Sequence, residues 1–296
     1  MQEHLNFYTL VLGHHCNNNC IFCTRPSDPS IKSVWGFVEE KSFATVFREI
    51  ASARKRFDSI VLSGGEPTTR RDFFKILQAC CSLGFERISV QSNARKFSSM
   101  GFAEKTLSIL GSRSDFYISF HAKREKLFNK LRGTNSFKES LSGIKNLLLL
   151  KAPVRINIVV MKPNYRDLPE TVRFLDSLGV KAVEFSFVHP NGRAFANRET
   201  VVPQIEKVIP FVERAGEFLE KKQVFFSLND FPLCSLNKCR KNASELFLNE
   251  KLAFQSPKIS FKAKECQKCL YFDKCPGIWA NYLKIFKFHF SPITKL

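Results

Sequence analysis

The most specific chemical pattern in the chain is a group of three cysteines close to the N-terminus. Cys16, Cys20 and Cys23 lie within eight residues, separated by three residues and then by two. A structural zinc site normally closes with four ligands, and a cubane iron–sulfur cluster usually binds through four cysteine thiolates. Three clustered cysteines with no close fourth favour a cubane in which one iron is left open. An open iron can bind a substrate or a cofactor, so the pattern predicts a reactive centre.

Alternating strand-like and helix-like segments surround these cysteines and must position any site. The hydrophobic pattern predicts strands at 7–12, 59–62, 87–91, 116–120, 154–161 and 183–188. It predicts helices at 39–55, 72–83, 104–110, 137–150, 168–178 and 205–220. Six strand–helix units in a row indicate an α/β fold with a parallel sheet and right-handed crossovers.

Polar residues gather where the predicted strands end. The three cysteines follow the first strand. The later strand ends carry Gly64–Pro67, Asn93, Ser119, His121, Asn164 and His189. Sites in parallel α/β folds form at the carboxyl ends of the strands, so we expect these residues to meet. A lone histidine at a strand end is more often structural than catalytic, and this applies to His121 and His189.

The pattern changes after residue 222. Strand–helix alternation stops there, and five of the ten cysteines follow: Cys234, Cys239, Cys266, Cys269 and Cys275. We therefore predict a large α/β domain at 1–222 and a small metal-stapled domain at 223–296.

Composition narrows the functional classes. The net charge is +19, with 46 Lys and Arg against 27 Asp and Glu. Such an excess can mark nucleic-acid binding, but the basic residues are scattered, so a generally basic surface is the favoured interpretation. The sequence has neither a secretory signal pattern nor an apolar stretch of the ~18–20 residues that a membrane span needs. We expect a cytoplasmic protein, where cysteine groups point to metal binding or catalysis.

Two motifs together resemble the radical S-adenosylmethionine (radical SAM) superfamily. One is the N-terminal cysteine triplet with aromatic Phe22 before its last cysteine, and the other is Gly64-Gly65-Glu66-Pro67 after the second strand. The resemblance covers roughly residues 5–220, where members of the superfamily form a partial (β/α)6 TIM-like barrel. We therefore expect such a barrel at 1–222.

The resemblance implies a cofactor and a mechanism. Cys16, Cys20 and Cys23 would hold three irons of a [4Fe-4S] cluster, and the fourth iron would bind S-adenosylmethionine (SAM). One electron, from a reductant such as flavodoxin or ferredoxin, would cleave the sulfonium bond of SAM. The resulting 5′-deoxyadenosyl radical would abstract hydrogen from a substrate. The cofactor would then carry out the radical chemistry, and the protein would orient the reactants and exclude competing reactions.

The second motif is expected to contact SAM. Gly64 and Gly65 allow a close backbone approach to a ligand because they lack a Cβ atom. Backbone carbonyls or Glu66 would accept the amino protons of SAM, and Pro67 completes the motif.

Four further residues are expected to bind the cofactor. Ser119 and Arg132 look like the pair that grips the SAM carboxylate in related enzymes, a role that suits the arginine fork; the alternative for Arg132 is a solvated surface charge. Asn93 lies where a recurrent Thr-Asn-Gly contacts the ribose, although here Ala94 replaces the glycine. Asn157 sits where the superfamily often places a polar residue facing SAM, and it needs hydrogen-bond partners if it is buried.

The C-terminal cysteines have strong metal-ligand spacing. Cys266, Cys269 and Cys275 are separated by two and then five residues, which resembles the SPASM and twitch extensions of radical SAM peptide maturases. Five cysteines favour the single-cluster twitch form. We assign Cys234 as the fourth ligand of an auxiliary [4Fe-4S] cluster, with Cys239 as the alternative. A four-cysteine zinc site also fits this spacing.

These observations predict a radical SAM enzyme that modifies a peptide or protein side chain. A radical SAM enzyme that modifies RNA is the alternative, motivated by the net charge but without a recognisable RNA-binding module. A non-enzymatic zinc protein that binds nucleic acid is the third. The residues do not specify the substrate or the outcome of the reaction.

Overall fold

A parallel sheet of seven strands forms the centre of the molecule, seen in a computed structural model that describes residues 7–26, 28–34, 36–247 and 259–295. Its strands are β1 (Phe7–Val11), β2 (Ser59–Ser63), β3 (Arg87–Ser92), β4 (Ser114–Ser119), β5 (Val154–Val160), β6 (Ala182–Phe187) and β7 (Phe225–Asn229). They neighbour one another in chain order. Within the described residues β1 and β7 do not pair, so the sheet is a partial barrel.

Nine α-helices follow or connect the strands in the described part of the chain. They are α1 (Phe43–Arg54), α2 (Phe73–Ser82), α3 (Met100–Leu110), α4 (Glu125–Arg132), α5 (Phe137–Leu149), α6 (Leu168–Ser177), α7 (Arg193–Ala196), α8 (Arg198–Val201) and α9 (Ile205–Lys221). Among these residues, every helix is too short or too polar to cross a lipid bilayer.

The predicted α/β class with a parallel partial barrel is confirmed, although several details differ. The sheet has seven strands rather than six, because β7 pairs in parallel with β6 beyond the predicted boundary at residue 222. Helix α4 was not predicted. Helix α1 begins at Phe43 rather than at 39, because the Ser42 side chain caps it by accepting a hydrogen bond from Thr45 N at 3.2 Å.

The two faces of the sheet differ in polarity. One face carries fully buried apolar side chains, such as Leu62, Val90, Phe116, Ile156 and Phe185, which belong to the same core as Val46 and Ile76 of the helices. Burying each such side chain contributes roughly 1.5–3 kcal/mol. The register places polar side chains on the opposite face: Ser63, Gln91, Tyr117, Asn157, Glu184 and Ser227. The barrel therefore has a polar inner surface.

The C-terminal segment is anchored to the barrel by aromatic residues. A short antiparallel pair, β8 (Ser260–Phe261) and β9 (Ile278–Trp279), lies within it. Tyr282 is fully buried, and its hydroxyl accepts a hydrogen bond from Ile205 N at 2.9 Å. The Trp279 ring stacks on His189 with ring centroids 3.9 Å apart.

Candidate active site

The three N-terminal cysteines lie together in a loop at the carboxyl end of β1, which we call the N-terminal cysteine loop (residues 12–25). Their thiols are partly exposed and close enough to influence one another electrostatically. Burial raises the pKa of Cys16 to about 12 and that of Cys23 to about 11. Since metal centres bind thiolates, loading a cluster here must release protons.

Gly64 and Gly65 bring the end of β2 against this loop. A Cβ atom on Gly64 would lie 2.3 Å from the carbonyl oxygen of Gly13, and one on Gly65 would lie 1.9 Å from that of His15. The Gly65 and Glu66 amides donate to those same carbonyls at 2.8 Å. The close backbone approach expected toward a ligand is thus made toward the protein's own loop, and contact of these glycines with SAM stays a prediction.

Glu66 connects β2 with β3. Its carboxylate is buried and accepts hydrogen bonds from Thr68 Oγ1 at 2.6 Å, Ser92 Oγ at 2.8 Å and Asn93 N at 2.7 Å. Burial raises its pKa, and these donors oppose that shift. Pro67 is also buried and begins a short 3₁₀ helix. Glu66 is therefore held by protein donors, and its predicted role toward SAM is untested.

Asn93 fixes the middle of the N-terminal cysteine loop. Its Nδ2 donates to Asn17 Oδ1 at 2.7 Å, and its Oδ1 accepts from Arg95 N at 3.1 Å. Arg95 also donates to the Asn17 carbonyl and to Asn18 Oδ1. Sequence reasoning missed Arg95, because a basic residue after a strand carries no signal of what it holds.

Helix α4, which was not predicted, places Arg132 beside the N-terminal cysteines. The Arg132 side chain is 4% exposed; its Nη1 lies 3.8 Å from Cys20 Sγ, and its Nη2 donates to the Ser119 carbonyl. Gly133, at φ +62°, allows close contact because a Cβ atom there would lie 2.2 Å from Asn19 O. The alternative of a solvated surface charge is wrong for Arg132, since the guanidinium is buried.

The Arg132 Nε atom is buried and has no hydrogen-bond acceptor among the described residues. Leaving such a donor unsatisfied costs about 1–3 kcal/mol, and a carboxylate would satisfy it well. The surroundings of Arg132 thus fit an anionic group such as the SAM carboxylate.

Asn157 belongs to a polar network on the inner surface of the barrel. Its Oδ1 accepts from Ser186 Oγ at 2.9 Å, and its backbone pairs with Ser119 on β4. Tyr117 and Glu184 are hydrogen-bonded to each other beside it. Sequence reasoning missed these two residues, although the alternation of polar residues along β4–β7 was a usable signal.

The remaining strand-end residues contact other protein groups. His121 is buried, its Nδ1 accepts from Val159 N at 3.1 Å, and its ring meets Phe22 edge-on at 4.9 Å. Burial holds the His121 pKa well below its ordinary value, so the ring is neutral. Asn164 donates to the His121 carbonyl at 2.9 Å, and burial lowers the pKa of His189 to about 4.

Four C-terminal cysteines line one pocket of about 380 Å³, a volume that includes its solvent-open part; we call it the C-terminal cysteine pocket (Cys234, Cys266, Cys269 and Cys275). The amides of Leu233 and Gly277 donate to Cys275 Sγ, and Ile293 N donates to Cys269 Sγ, each at 3.4 Å. Amide donors of this kind tune thiolate-bound iron–sulfur clusters. The donor set therefore suits a thiolate-bound centre.

Cys239, the alternative fourth ligand, lies elsewhere. It is 3% exposed, and its sulfur would be 2.9 Å from a Cβ atom added to Gly216 of α9. Across the described ranges, no group of three or more His, Cys, Asp or Glu side chains has the arrangement of ligands around a metal ion. The auxiliary cluster in this pocket, with zinc as its alternative, therefore stays a prediction.

Comparison with known proteins identifies the first part of the chain. The model of the Radical SAM superfamily matches residues 10–175. Curated relatives include a probable GTP 3′,8-cyclase of Saccharolobus islandicus, 27% identical over 186 residues, which cover 62% of this chain and 57% of the relative. The chain thus spans little more than half the length of these relatives.

Solved structures share the fold over nearly the whole chain. Streptococcus suis SuiB bound to S-adenosylmethionine superposes with a TM-score of 0.67 and 16% identity, covering 96% of this chain and 75% of that protein. Native anSMEcpe with bound AdoMet and the Kp18Cys peptide superposes with a TM-score of 0.65 and 16% identity, covering 93% and 89%.

Proposed function

Because the chain belongs to the radical SAM superfamily, we propose that it is the enzyme that cleaves SAM at the N-terminal cysteine loop to abstract hydrogen from a peptide or protein side chain. When bound, a [4Fe-4S] cluster and SAM supply one-electron chemistry and a carbon-centred radical. The protein is expected to receive its electron from flavodoxin or ferredoxin and to work in the cytoplasm.

The residues of the loop would bind and orient these groups. Cys16, Cys20 and Cys23 are the three ligands, and Arg132 beside Cys20 offers its unpartnered Nε–H to a carboxylate. Phe22 is buried against His121 and holds the loop to the end of β4. The polar inner surface of the barrel would face the substrate.

The attachment of the C-terminal cysteine pocket to the barrel is the observation that carries the peptide assignment. Trp279 stacks on His189 just beyond β6, and Asn281 Nδ2 donates to the Pro190 carbonyl at 3.1 Å. An auxiliary [4Fe-4S] cluster in that pocket would thus lie beside the strand ends, with zinc as the alternative. Two similar structures that span over nine-tenths of this chain are SuiB and a peptide-bound anSMEcpe, which supports a peptide substrate.

A nucleotide substrate is the second candidate. It is favoured by the curated relatives named probable GTP 3′,8-cyclases, whose match covers 62% of this chain. A cyclase-like activity would require GTP itself to be the hydrogen source.

One experiment separates these candidates. Anaerobically reconstituted protein is incubated with SAM and dithionite, alone, with GTP, or with synthetic peptides encoded by short reading frames beside its gene. We expect 5′-deoxyadenosine formation in all three and coupled substrate modification with a peptide only. Consumption of GTP in step with 5′-deoxyadenosine would replace the peptide assignment by the nucleotide one. The absence of any SAM cleavage would contradict the proposal as a whole.

A further inference from the structure

Asn18 lies in the middle of the N-terminal cysteine loop and is unusually constrained. Its residue surface is 9% exposed. Its Oδ1 atom accepts two hydrogen bonds, from Arg95 Nη1 at 3.1 Å and from Thr134 Oγ1 at 2.9 Å. Arg95 is itself held by Glu139, whose Oε2 lies 2.5 Å from Arg95 Nε. Elements outside the loop therefore fix this side chain.

These contacts determine which way the Asn18 amide points. A guanidinium group can only donate hydrogen bonds, so the amide atom that faces Arg95 must be the oxygen. A flipped amide would set its NH₂ against the Arg95 donor. The NH₂ group consequently points away from Arg95 and Thr134.

Among the described residues, the Asn18 NH₂ group has no hydrogen-bond acceptor, and its Nδ2 atom is buried. Buried side-chain amides are nearly always satisfied, and an unsatisfied one costs about 1–3 kcal/mol. The backbone amide of the same residue already donates to Cys16 Sγ at 3.4 Å, which places Asn18 next to the thiols. A group that binds at the loop and carries an acceptor would satisfy this donor.

We propose that Asn18 donates a hydrogen bond to the iron–sulfur cluster held by Cys16, Cys20 and Cys23, with Arg95 and Thr134 as its positioning residues. The inference rests on the proposed function, which supplies the cluster. Cluster sulfides and thiolate sulfurs are acceptors, and donors to them favour the reduced, more negative state. Asn18 thereby makes one-electron reduction of the cluster easier.

The test compares two substitutions that add the same charge. Asn18→Asp keeps the oxygen that Arg95 and Thr134 bind but replaces the NH₂ donor by a second oxygen. Asn19→Asp places the same charge on the neighbouring exposed residue and is the matched control. The potential is measured by EPR-monitored redox titration, without SAM, on the cluster signal that changes when SAM is added. We expect Asn18→Asp to reduce the equilibrium constant for reduction about tenfold relative to Asn19→Asp, or about 59 mV for one electron.

A second pair guards against loss of the cluster in Asn18→Asp. Asn18→Ala removes the donor without adding charge, whereas Thr134→Val removes one of the two bonds that hold the amide. We expect Asn18→Ala to lower the reduction potential of the cluster and Thr134→Val to leave it unchanged. Equal shifts in both variants would mean that the rigidity of the loop matters and not the donor, which would overturn the inference.

Two other outcomes are informative. If Asn18→Asp and Asn19→Asp have equal potentials and only SAM affinity differs, the acceptor is SAM and the inference is wrong while the proposed function stands. If wild-type protein holds no SAM-responsive cubane at all, both fail together.

Discussion

The two cysteine-rich regions of this molecule are built in different ways. The N-terminal cysteine loop is held by side chains from the ends of several elements, among them Asn93, Arg95 and Arg132. The C-terminal cysteine pocket is held by backbone amides close in the chain to its own cysteines, such as Leu233 and Gly277. The first arrangement fixes the sulfurs relative to the barrel, as a reactive centre requires. The second is largely self-contained, and a few aromatic contacts attach it to the barrel.

Removing a ligand from the N-terminal loop should have the largest effect. We expect Cys16→Ala, Cys20→Ala or Cys23→Ala to abolish SAM cleavage, because the proposed cluster is held by these three thiolates. The barrel should still fold, since none of the three cysteines belongs to the buried core and only Cys20 packs against it. 5′-Deoxyadenosine is quantified by chromatography and folding by circular dichroism. Cleavage at the wild-type rate would contradict the assignment of the loop.

Replacing a cysteine of the C-terminal cysteine pocket should separate the roles of the two cysteine-rich regions. Cys266→Ala should leave SAM cleavage intact but lose modified product, with iron falling from about eight to about four per chain. Cys239→Ala is the matched control, because this buried thiol packs against α9 and should change neither iron content nor product. If wild-type protein contains zinc instead of the second four irons, the pocket holds a structural metal. If Cys266→Ala forms as much modified product as wild type, the pocket is dispensable for the reaction.

The contact between β2 and the N-terminal loop should be sensitive to a single methyl group. Gly65→Ala places a Cβ atom 1.9 Å from the His15 carbonyl oxygen, and we expect it to lower the free energy of unfolding by about 2–3 kcal/mol. Gly101→Ala is the control: nothing lies within 4 Å of the added atom, and the gain in helix propensity in α3 should stabilise by about 0.5–1 kcal/mol. Urea unfolding of the iron-free protein measures both. Equal stabilities would show that the two backbones are not in close contact.

Arg132 should influence the cofactor more than the fold. Arg132→Lys retains the charge but loses the fork, so we expect the Kd for SAM to rise about tenfold, or about 1.4 kcal/mol. Arg124→Lys, at the exposed opposite end of α4 where it pairs with Asp167, should leave the Kd unchanged. Equilibrium binding of labelled SAM to cluster-loaded protein tests this. An unchanged Kd in Arg132→Lys would remove Arg132 from the cofactor site.

The smallest effect is expected where the chain leaves β7 for the C-terminal segment. Burial raises the pKa of Glu245 to about 7. A carboxyl whose folded pKa is raised binds its proton more tightly in the folded state, so its stabilising contribution is complete below the ordinary pKa and is lost as pH rises toward about 7. Wild-type stability should therefore fall more than that of Glu245→Gln between about pH 5 and pH 7, by about 1 kcal/mol because Glu245 is partly exposed. Parallel pH profiles of wild type and Glu245→Gln in urea unfolding would contradict a raised pKa for the Glu245 carboxyl.

The sequence contained the order of the elements but not the contacts that complete the site. Long apolar runs made most strands of the sheet predictable, and cysteine spacing located both cysteine-rich regions. Helix α4 was missed because its eight residues are mostly polar and its stability comes from Phe128 and Leu131 in the core, although Gly133 was a readable stop signal. Strand β7, Phe225–Asn229, was missed because it lies beyond residue 222, where the alternation of predicted strands and helices stops.

Partners of polar residues were the least predictable. Glu66 and Asn93 were expected to contact SAM, yet each has protein partners already. Residue spacing predicts which residue types meet at the strand ends, but not which of them form hydrogen bonds with one another. That depends on side-chain geometry set by the packing of distant segments.

The amide-to-carbonyl bonds from Gly65 and Glu66 to Gly13 and His15 continue the β1–β2 pairing beyond the sheet and into the N-terminal cysteine loop. These two bonds hold the backbone of the loop to the barrel without any contribution from a bound metal, so we expect the loop to keep its shape in the iron-free protein. Insertion of a cluster would then require little folding of the loop. Iron starvation should then leave a well-structured apoprotein waiting for its cluster, rather than a misfolded chain destined for proteolysis.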